Sequence, residues 1–369
     1  MKFKVDRNEF LKNLEIVSSI VPVKPVLTII SNIMIDVKKD KLMLFSTDFE
    51  ISLFSEVECS SSGEGIFVLN AKTLVDLIRR LPDGEINFNY QNDNVTIKTK
   101  TGEYRIPTLK KEEYVEIIRI EKERLFPVDS LPLKSAIDNT IFATSKDTVK
   151  VAITGVLFEM NKKSLTMVAT DSHRLALNTI GEFFEENVSG NIIVPPKVLQ
   201  IIRDLLDDKE QLYMGFDDKK IMFKIGKIEM WAKLIDGTYP DYKRVIPYDN
   251  NKIMIVNKNE LLTALNAVNV FVNVNTKLVK FEISKNRLVI LAYQNQQGEG
   301  KEELEVKYND EEMINIGFNI NYLIEILKRV ESENVKFKMK GEMFAVLIEN
   351  EESKIGEESF YIIMPLRLK

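Results

Sequence analysis

In the stretch Val5 to Val17, VDRNEFLKNLEIV, the apolar residues Phe10, Leu14 and Val17 recur at the spacing of one helical face. The pattern returns in Val256 to Val268, VNKNELLTALNAV, at Leu261, Leu265 and Val268, an offset of 256 − 5 = 251. Six of the thirteen positions are identical between the two copies. Each opens with a polar residue followed three places on by Glu, Asp6–Glu9 and Asn257–Glu260. That is close to a capping box, whose side chains satisfy orphan N–H groups of the first turn. A fainter copy starts at Val128-Asp129-Ser130, with Leu133, Ala136 and Ile137 as its apolar face; its offset, 128 − 5 = 123, is one third of 369.

Between these helices the period falls to two. Alternation predicts strands over 32–37, 42–46 and 51–57, with Lys38-Lys39-Asp40-Lys41 as a turn and a Pro-containing loop at 21–25 before them. A second helix follows from about Asn70, with Leu74, Leu77, Ile78 and Leu81 on one face, and Pro82-Asp83-Gly84 stops it. Further strands are predicted over 86–90, 95–99 and 104–107. The order then repeats. Residues 32–46 are matched by 154–168 and roughly by 280–291, and Thr47-Asp48 recurs as Thr170-Asp171. The second helix recurs with Leu199, Ile202 and Leu206 after Pro195-Pro196, and again with Leu323, Ile326, Leu327 and Val330. The expected fold class is α+β: three like domains, 1–122, 123–248 and 249–369, each with two helices and about eight strands. Repeats this long hold their own cores, unlike solenoid repeats of roughly 20–50 residues.

Composition narrows the function. With 44% hydrophobic and 29% charged residues the chain has an ordinary globular make-up. Its formal charge, 51 − 56 = −5, argues against coating nucleic acid with the whole surface but leaves room for a local basic stripe. The single cysteine, Cys59, excludes an intramolecular disulfide and a cysteine metal centre, and no metal or cofactor is expected. The N-terminus has no apolar leader and no apolar run is long enough to span a bilayer, so a cytoplasmic chain without membrane association is expected. No HExxH, GxSxG, P-loop or GxGxxG stands in a usable context. Asp171, Ser172 and His173 are adjacent in one hairpin and cannot form a relay triad, so no catalytic residues are expected.

Three further motifs stand in order: Ala169-Thr170-Asp171-Ser172-His173-Arg174-Leu175-Ala176, Asp236-Gly237-Thr238-Tyr239-Pro240-Asp241-Tyr242, and the ending Met364-Pro365-Leu366-Arg367-Leu368. With the threefold repeat they resemble the bacterial DNA polymerase III β subunits, the sliding clamps. The resemblance runs from Met1-Lys2-Phe3 to the last strand. It implies three like clamp domains per chain, and two chains closed head to tail as a homodimeric ring around double-stranded DNA. Helices would line the hole and sheets would form the outer wall. The implied activity is non-catalytic: a processivity factor for DNA replication. Its implied partners are the DNA polymerase III catalytic subunit, the clamp loader, and other polymerases and repair proteins that dock short peptides.

A helix lining such a hole should carry basic residues opposite its apolar face. Those expected to face DNA are Lys12, Lys72, Arg79 and Arg80, then Lys134, Lys197 and Arg203, then Lys328 and Arg329. Asp204, Asp207 and Asp208 dilute the middle group. A protein that moves along DNA should touch phosphates, which carry no sequence information. The resemblance also implies loop contacts from Lys24 and Lys150, although Val151-Ala152 stand where some members carry aromatic residues.

The peptide pocket implied by the resemblance would use Ile153, Thr170, Ser172, His173, Arg174, Leu175, Pro240, Arg244 and Val245, completed by Ile362, Ile363, Met364, Pro365, Leu366 and Arg367. Aliphatic residues and Met make an adaptable apolar groove, and Arg174, Arg244 and Arg367 are expected to orient polar groups of the peptide. Many members have Gly where Ser172 stands. His173, the one histidine, either shapes the turn or contacts the peptide. For the subunit contact the candidates are Tyr104, Ile106 and Leu109 on one side and Val270 and Phe271 on the other, with Glu299, Glu302 and Glu303 facing Lys72 or Arg79. The alternative is a monomeric peptide-binding scaffold that never encircles DNA.

Overall fold

A computed structural model describes residues 1–22, 24, 27–115, 125–294, 298–352 and 357–368. The expected boundary near residue 122 lies outside the described residues, as does part of the loop at 21–25. Each third has two helices: α1 (Arg7–Ser18) and α2 (Ala71–Arg80), α3 (Ser130–Thr140) and α4 (Pro196–Leu205), α5 (Lys258–Val268) and α6 (Ile320–Leu327). Among the described residues the thirds contribute nine, eight and nine strands.

The repeated helix start folds as its sequence demands. Asp6 accepts hydrogen bonds from the N–H groups of Asn8 and Glu9, and Asn257 accepts them from Asn259 and Glu260. Each cap removes two of the orphan donors of a helix N-terminus. Phe10, Leu14 and Val17 are buried on α1, Leu133, Ala136 and Ile137 on α3, and Leu261, Leu265 and Val268 on α5. On α2 the buried set is Ala71, Leu74, Val75 and Ile78, with Leu77 only half-buried.

By contact the chain groups into two compact units, 1–130 with 204–234 and 131–203 with 235–369. The first unit holds a five-stranded and an eight-stranded antiparallel sheet. Its eight-stranded sheet continues from Ile51–Glu58 into Ile228–Lys233, with Met230 opposite Leu53. Its core includes stacked Phe3 and Phe88, 4.6 Å between centroids, with Phe10 edge-on to Phe88 at 5.5 Å. The second unit holds a nine-stranded and a four-stranded sheet. There Arg174–Ile180 pairs with Glu357–Ile363, Leu177 opposite Phe360. Phe281 meets Phe318 edge-on at 5.3 Å beneath α5 and α6. Strands of the middle third thus serve both units, because an unpaired strand edge is satisfied by whichever strand lies beside it. Among the described residues no helix is long and apolar enough to cross a membrane, and no cluster of His, Cys, Asp or Glu could hold a metal ion.

Candidate functional site

The pocket motif is a tight turn between the strands Ser164–Thr170 and Arg174–Ile180. Asp171 Oδ1 accepts from the N–H groups of His173 (2.9 Å) and Arg174 (3.0 Å), and Thr170 Oγ1 donates to the Arg174 carbonyl at 2.6 Å. These local side-chain bonds substitute for a backbone turn. Ser172 sits at φ 76°, in the left-handed region where glycine is at ease. Lys150 Nζ donates to Ser172 Oγ at 3.3 Å, so this loop lysine is tied to the turn.

The C-terminal run is drawn to the same place. Arg174 pairs with Ile363 and Leu175 with Ile362 across antiparallel strands, and the Met364 N–H continues the ladder to the His173 carbonyl at 2.9 Å. Leu366 N–H then donates to the Gly317 carbonyl at 2.7 Å. Leu175 and Ile362 point into a buried apolar cluster with Leu157, Val168, Tyr242 and Phe360. Ile153 and Ile363 are buried as well. These four, expected in the pocket lining, are largely buried, and Ile153 still forms part of the wall of the cleft beside the turn. The apolar surface left open is that of Val245, 54% exposed, and Met364, 45% exposed. Arg244, paired with Asp241 at 2.8 Å, and Arg367 are exposed at the rim. Pro240 lines a separate cavity of about 320 Å³ with Leu157, Glu159, Ile193 and Tyr239.

A cleft of about 550 Å³ opens beside the turn, lined among others by Lys146, Lys150, Ile153, Ser172, His173 and Arg174. His173 is exposed at its edge, its ring 6.5 Å from that of Tyr322, while its backbone closes the turn on both sides. Arg174 differs from expectation. It is only 8% exposed. Its Nε donates to Asp171 Oδ2 at 3.1 Å, Nη1 to Glu325, and Nη2 to the Phe142 carbonyl at 2.8 Å. The guanidinium lies on the rings of Tyr322 (4.3 Å) and Phe142 (5.0 Å). Three of its five N–H donors are committed within the protein, which holds the guanidinium against the cleft wall. Sequence reasoning missed Phe142, Tyr322 and Glu325, which belong to no motif. The one available signal was Tyr322 and Glu325, polar and one turn apart, on a mostly apolar α6.

The basic residues named for helices lie on them or directly after them, and one is folded back onto the protein. Lys12, on α1, is exposed, as are Lys72, Arg79 and Arg80 on α2 and Lys197 on α4; Lys24 is exposed on its loop and Lys328 just after α6. Lys134 and Arg203 are half-buried, and Arg203 Nη1 lies 3.5 Å from Asp138. Arg79 pairs with Glu15 at 2.8 Å. The exception is Arg329: its guanidinium lies 4.1 Å from the Phe142 centroid and donates to the carbonyls of Asp138 (2.9 Å) and Glu325 (2.7 Å). Burial pulls its pKa below the usual arginine range. Its guanidinium is turned onto the protein.

Of the subunit-contact candidates, Tyr104, Leu109 and Val270 are exposed. Ile106 is buried in its sheet, correcting the expectation for that residue. Phe271 packs over Gly300, where an added Cβ would come within 2.6 Å of its ring. Glu299 is exposed and Glu302 half-buried, and Glu303 is held by a bidentate pair with Arg287 (2.7 Å on both arms). The strands Glu103–Pro107 and Gly298–Leu304 are each the edge of a sheet, bonded on one side only.

The sequence matches the DNA polymerase III beta subunit N-terminal domain over residues 1–118, the central domain over 127–241 and the C-terminal domain over 243–367. It is 30% identical to the beta sliding clamps of Haemophilus influenzae and Escherichia coli, with 100% of both chains covered in each case. The fold superposes on the crystal structure of the DNA polymerase III subunit beta from Pseudomonas aeruginosa with a TM-score of 0.94 at 27% identity, covering 100% of both chains. It matches a P. aeruginosa clamp bound to griselimycin, also over 100% of both chains, with a TM-score of 0.93 at 27% identity. The chain belongs to the DNA polymerase III beta subunit family, whose relatives are the beta sliding clamps.

Proposed function

We propose that this chain is a non-catalytic sliding clamp for DNA replication: two copies close head to tail into a ring around duplex DNA and tether the polymerase to it. The observation that carries this reading is the full-length likeness to beta sliding clamps through all three domains. A heterologous interface that closes generates a ring, and the open strand edges at 103–107 and 298–304 give each copy two different edges to join. Tyr104, Leu109, Val270 and Phe271 flank those edges. The proposed DNA contacts are Lys12, Lys24, Lys72, Arg79, Arg80, Lys134, Lys197, Arg203 and Lys328, each to phosphate and none to a base edge. Retention comes from enclosure, so a net charge of −5 is compatible with the task. Partners working with replicating DNA in the cytoplasm (the polymerase III catalytic subunit, the clamp loader, other polymerases and repair proteins) would dock short peptides over Val245, Met364 and Pro365, with Arg244 and Arg367 at the rim. The monomeric scaffold is not favoured, since the relatives are clamps over their whole length.

Protein loaded on nicked circular DNA should survive high salt and leave once the circle is cut. Equal loss from circles and linear DNA would sink the topological account. Sedimentation should show a species of twice 42.5 kDa at micromolar concentration. Removing residues 364–369 should abolish polymerase binding and leave that dimer intact.

A further inference from the structure

The C-terminal run has a second anchor besides the turn. Past Ile363 it leaves its sheet, and the Met364 N–H bonds the His173 carbonyl. Pro365 has no N–H to give. The next donor is Leu366, whose N–H meets the Gly317 carbonyl at 2.7 Å in a one-residue antiparallel bridge. Gly317 is buried in the strand Ile314–Asn319, the edge of the four-stranded sheet, and pairs with Lys280 on its other side. Its φ does not demand glycine. Space does. A Cβ here would stand 2.6 Å from the Leu366 carbonyl oxygen, 2.8 Å from Leu278 Cδ1 and 2.9 Å from Leu368 Cδ2. The two leucine side chains can turn away, whereas the carbonyl is backbone and moves only with the run that carries it. The strand has little freedom to yield instead, since six consecutive pairs fix its register on Leu278–Ser284. A glycine inside a strand weakens it, and marks a place where another backbone comes close.

We infer that Gly317 is a positioning residue for the peptide groove: by leaving room for the Leu366 carbonyl, it fixes residues 365–367 as one wall of that groove. The inference rests on the peptide-pocket reading given above and adds to it a residue from a different sheet. Met364 is tied to the turn and Leu366 to Gly317, so Pro365 is held between two fixed points. Arg367 leaves directly from the bridged residue and is exposed, so the bridge also sets where the rim charge stands. Leu368 continues the same course. It packs at Gly317 and, with Leu278, Leu291 and Tyr293, walls a cavity of about 680 Å³ on this sheet. A peptide that lays apolar groups on Met364 and Pro365 and offers a carboxylate to Arg367 would feel any lift of the run. One held by the turn 170–174 alone would not.

The test compares the full-length protein with Gly317→Ala, Leu366→Pro and the double variant Gly317→Ala/Leu366→Pro. Leu366→Pro removes the donor from the other side of the bridge, and Leu366→Ala, which keeps it, is the control. Calorimetric titration with griselimycin reads affinity, and hydrogen exchange followed by mass spectrometry reads each segment. We expect Gly317→Ala and Leu366→Pro each to weaken griselimycin about tenfold, the size of an ordinary coupling between linked sites. The double variant should be no weaker than about the worse single, because both changes break one bridge. Exchange should rise in 364–368 and stay unchanged in 170–174, 278–283 and 314–319. A rise in 278–283 and 314–319 as well would mean that the sheet had loosened, and would overturn the positioning role. So would unchanged griselimycin affinity in Gly317→Ala, whether or not 364–368 exchanges faster. Equal losses in Leu366→Ala and Leu366→Pro, or losses that multiply in the double variant, would take the bridge out of the account. Should Gly317→Ala not fold, Leu366→Pro, which lies outside the sheet, decides the matter by the same criteria. Failure of the unaltered protein to bind griselimycin would overturn the pocket reading and the positioning role with it, whereas the exchange of 364–368 would still show whether Gly317 holds the run.

Discussion

The turn Thr47-Asp48-Phe49-Glu50-Ile51 in the first third and the turn Thr170-Asp171-Ser172-His173-Arg174 in the middle third are the same object built twice. Asp48 Oδ1 accepts from the N–H groups of Glu50 (3.1 Å) and Ile51 (2.7 Å), and Thr47 Oγ1 donates to the Ile51 carbonyl at 2.9 Å. Asp171 and Thr170 make the corresponding bonds. The third residue is left-handed in both, φ 72° at Phe49 and 76° at Ser172. The turns part company at the fifth position. Ile51 is a buried strand residue opposite Ala232, whereas Arg174 carries its charge into an aromatic and acidic nest. Beside the first turn lies a cavity of about 150 Å³, walled by Phe45, Phe49 and Trp231; beside the second lies a cleft of about 550 Å³ rimmed by lysines and His173. Backbone geometry is therefore shared by the two turns, and the fifth side chain sets what surrounds each of them.

The largest test is to erase that difference. Ile51→Arg would bury a charge opposite Ala232 in a turn where Asp48 stands as Asp171 does but the aromatic and acidic nest of Arg174 is not repeated, and we expect it to lower stability by about 3–5 kcal/mol in urea unfolding. A loss under about 1 kcal/mol would mean the first turn can house an arginine too. Next, Asp171→Ala should remove about 3 kcal/mol, since it orphans two N–H groups and one arm of Arg174. It should also weaken griselimycin more than about tenfold if the turn shapes the pocket. Asp48→Ala should cost about 1–2 kcal/mol and leave griselimycin binding unchanged. Thr47→Val and Thr170→Val should each cost about 1 kcal/mol, equally, because the two hydroxyls do the same job. Smallest of all, Ser172→Gly should raise stability by about 0.5–1 kcal/mol by relieving a left-handed non-glycine residue. Its griselimycin titration should be unaltered; a marked loss would give the Ser172 hydroxyl and its Lys150 bond a part in binding.

Much of this was legible beforehand. The caps at Asp6 and Asn257 and the faces Phe10/Leu14/Val17 and Leu261/Leu265/Val268 depend on neighbours within one helical turn, and local chemistry writes them into the sequence. The strands at 32–37 and 51–58 follow from alternation in the same way. The backbone bond from Met364 to His173 fits what the motifs at 169–176 and 364–368 imply, that those segments meet.

What stayed hidden involves residues far apart in the chain. Periodicity does not say whether a basic residue near a helix end faces outward, as Lys328 does, or folds back over a distant ring, as Arg329 does over Phe142. Nor does it say that Arg174 spends its charge on Glu325, or that Ile106 and Ile363 are core. The sequence by itself determined the threefold repeat, the helix starts and the turn, because those are settled by hydrogen bonds and apolar spacing within a few residues. The tertiary structure alone decided which charges remain at the surface, because a guanidinium is drawn inward only where carboxylates, carbonyls and aromatic faces from separate segments converge to replace its water.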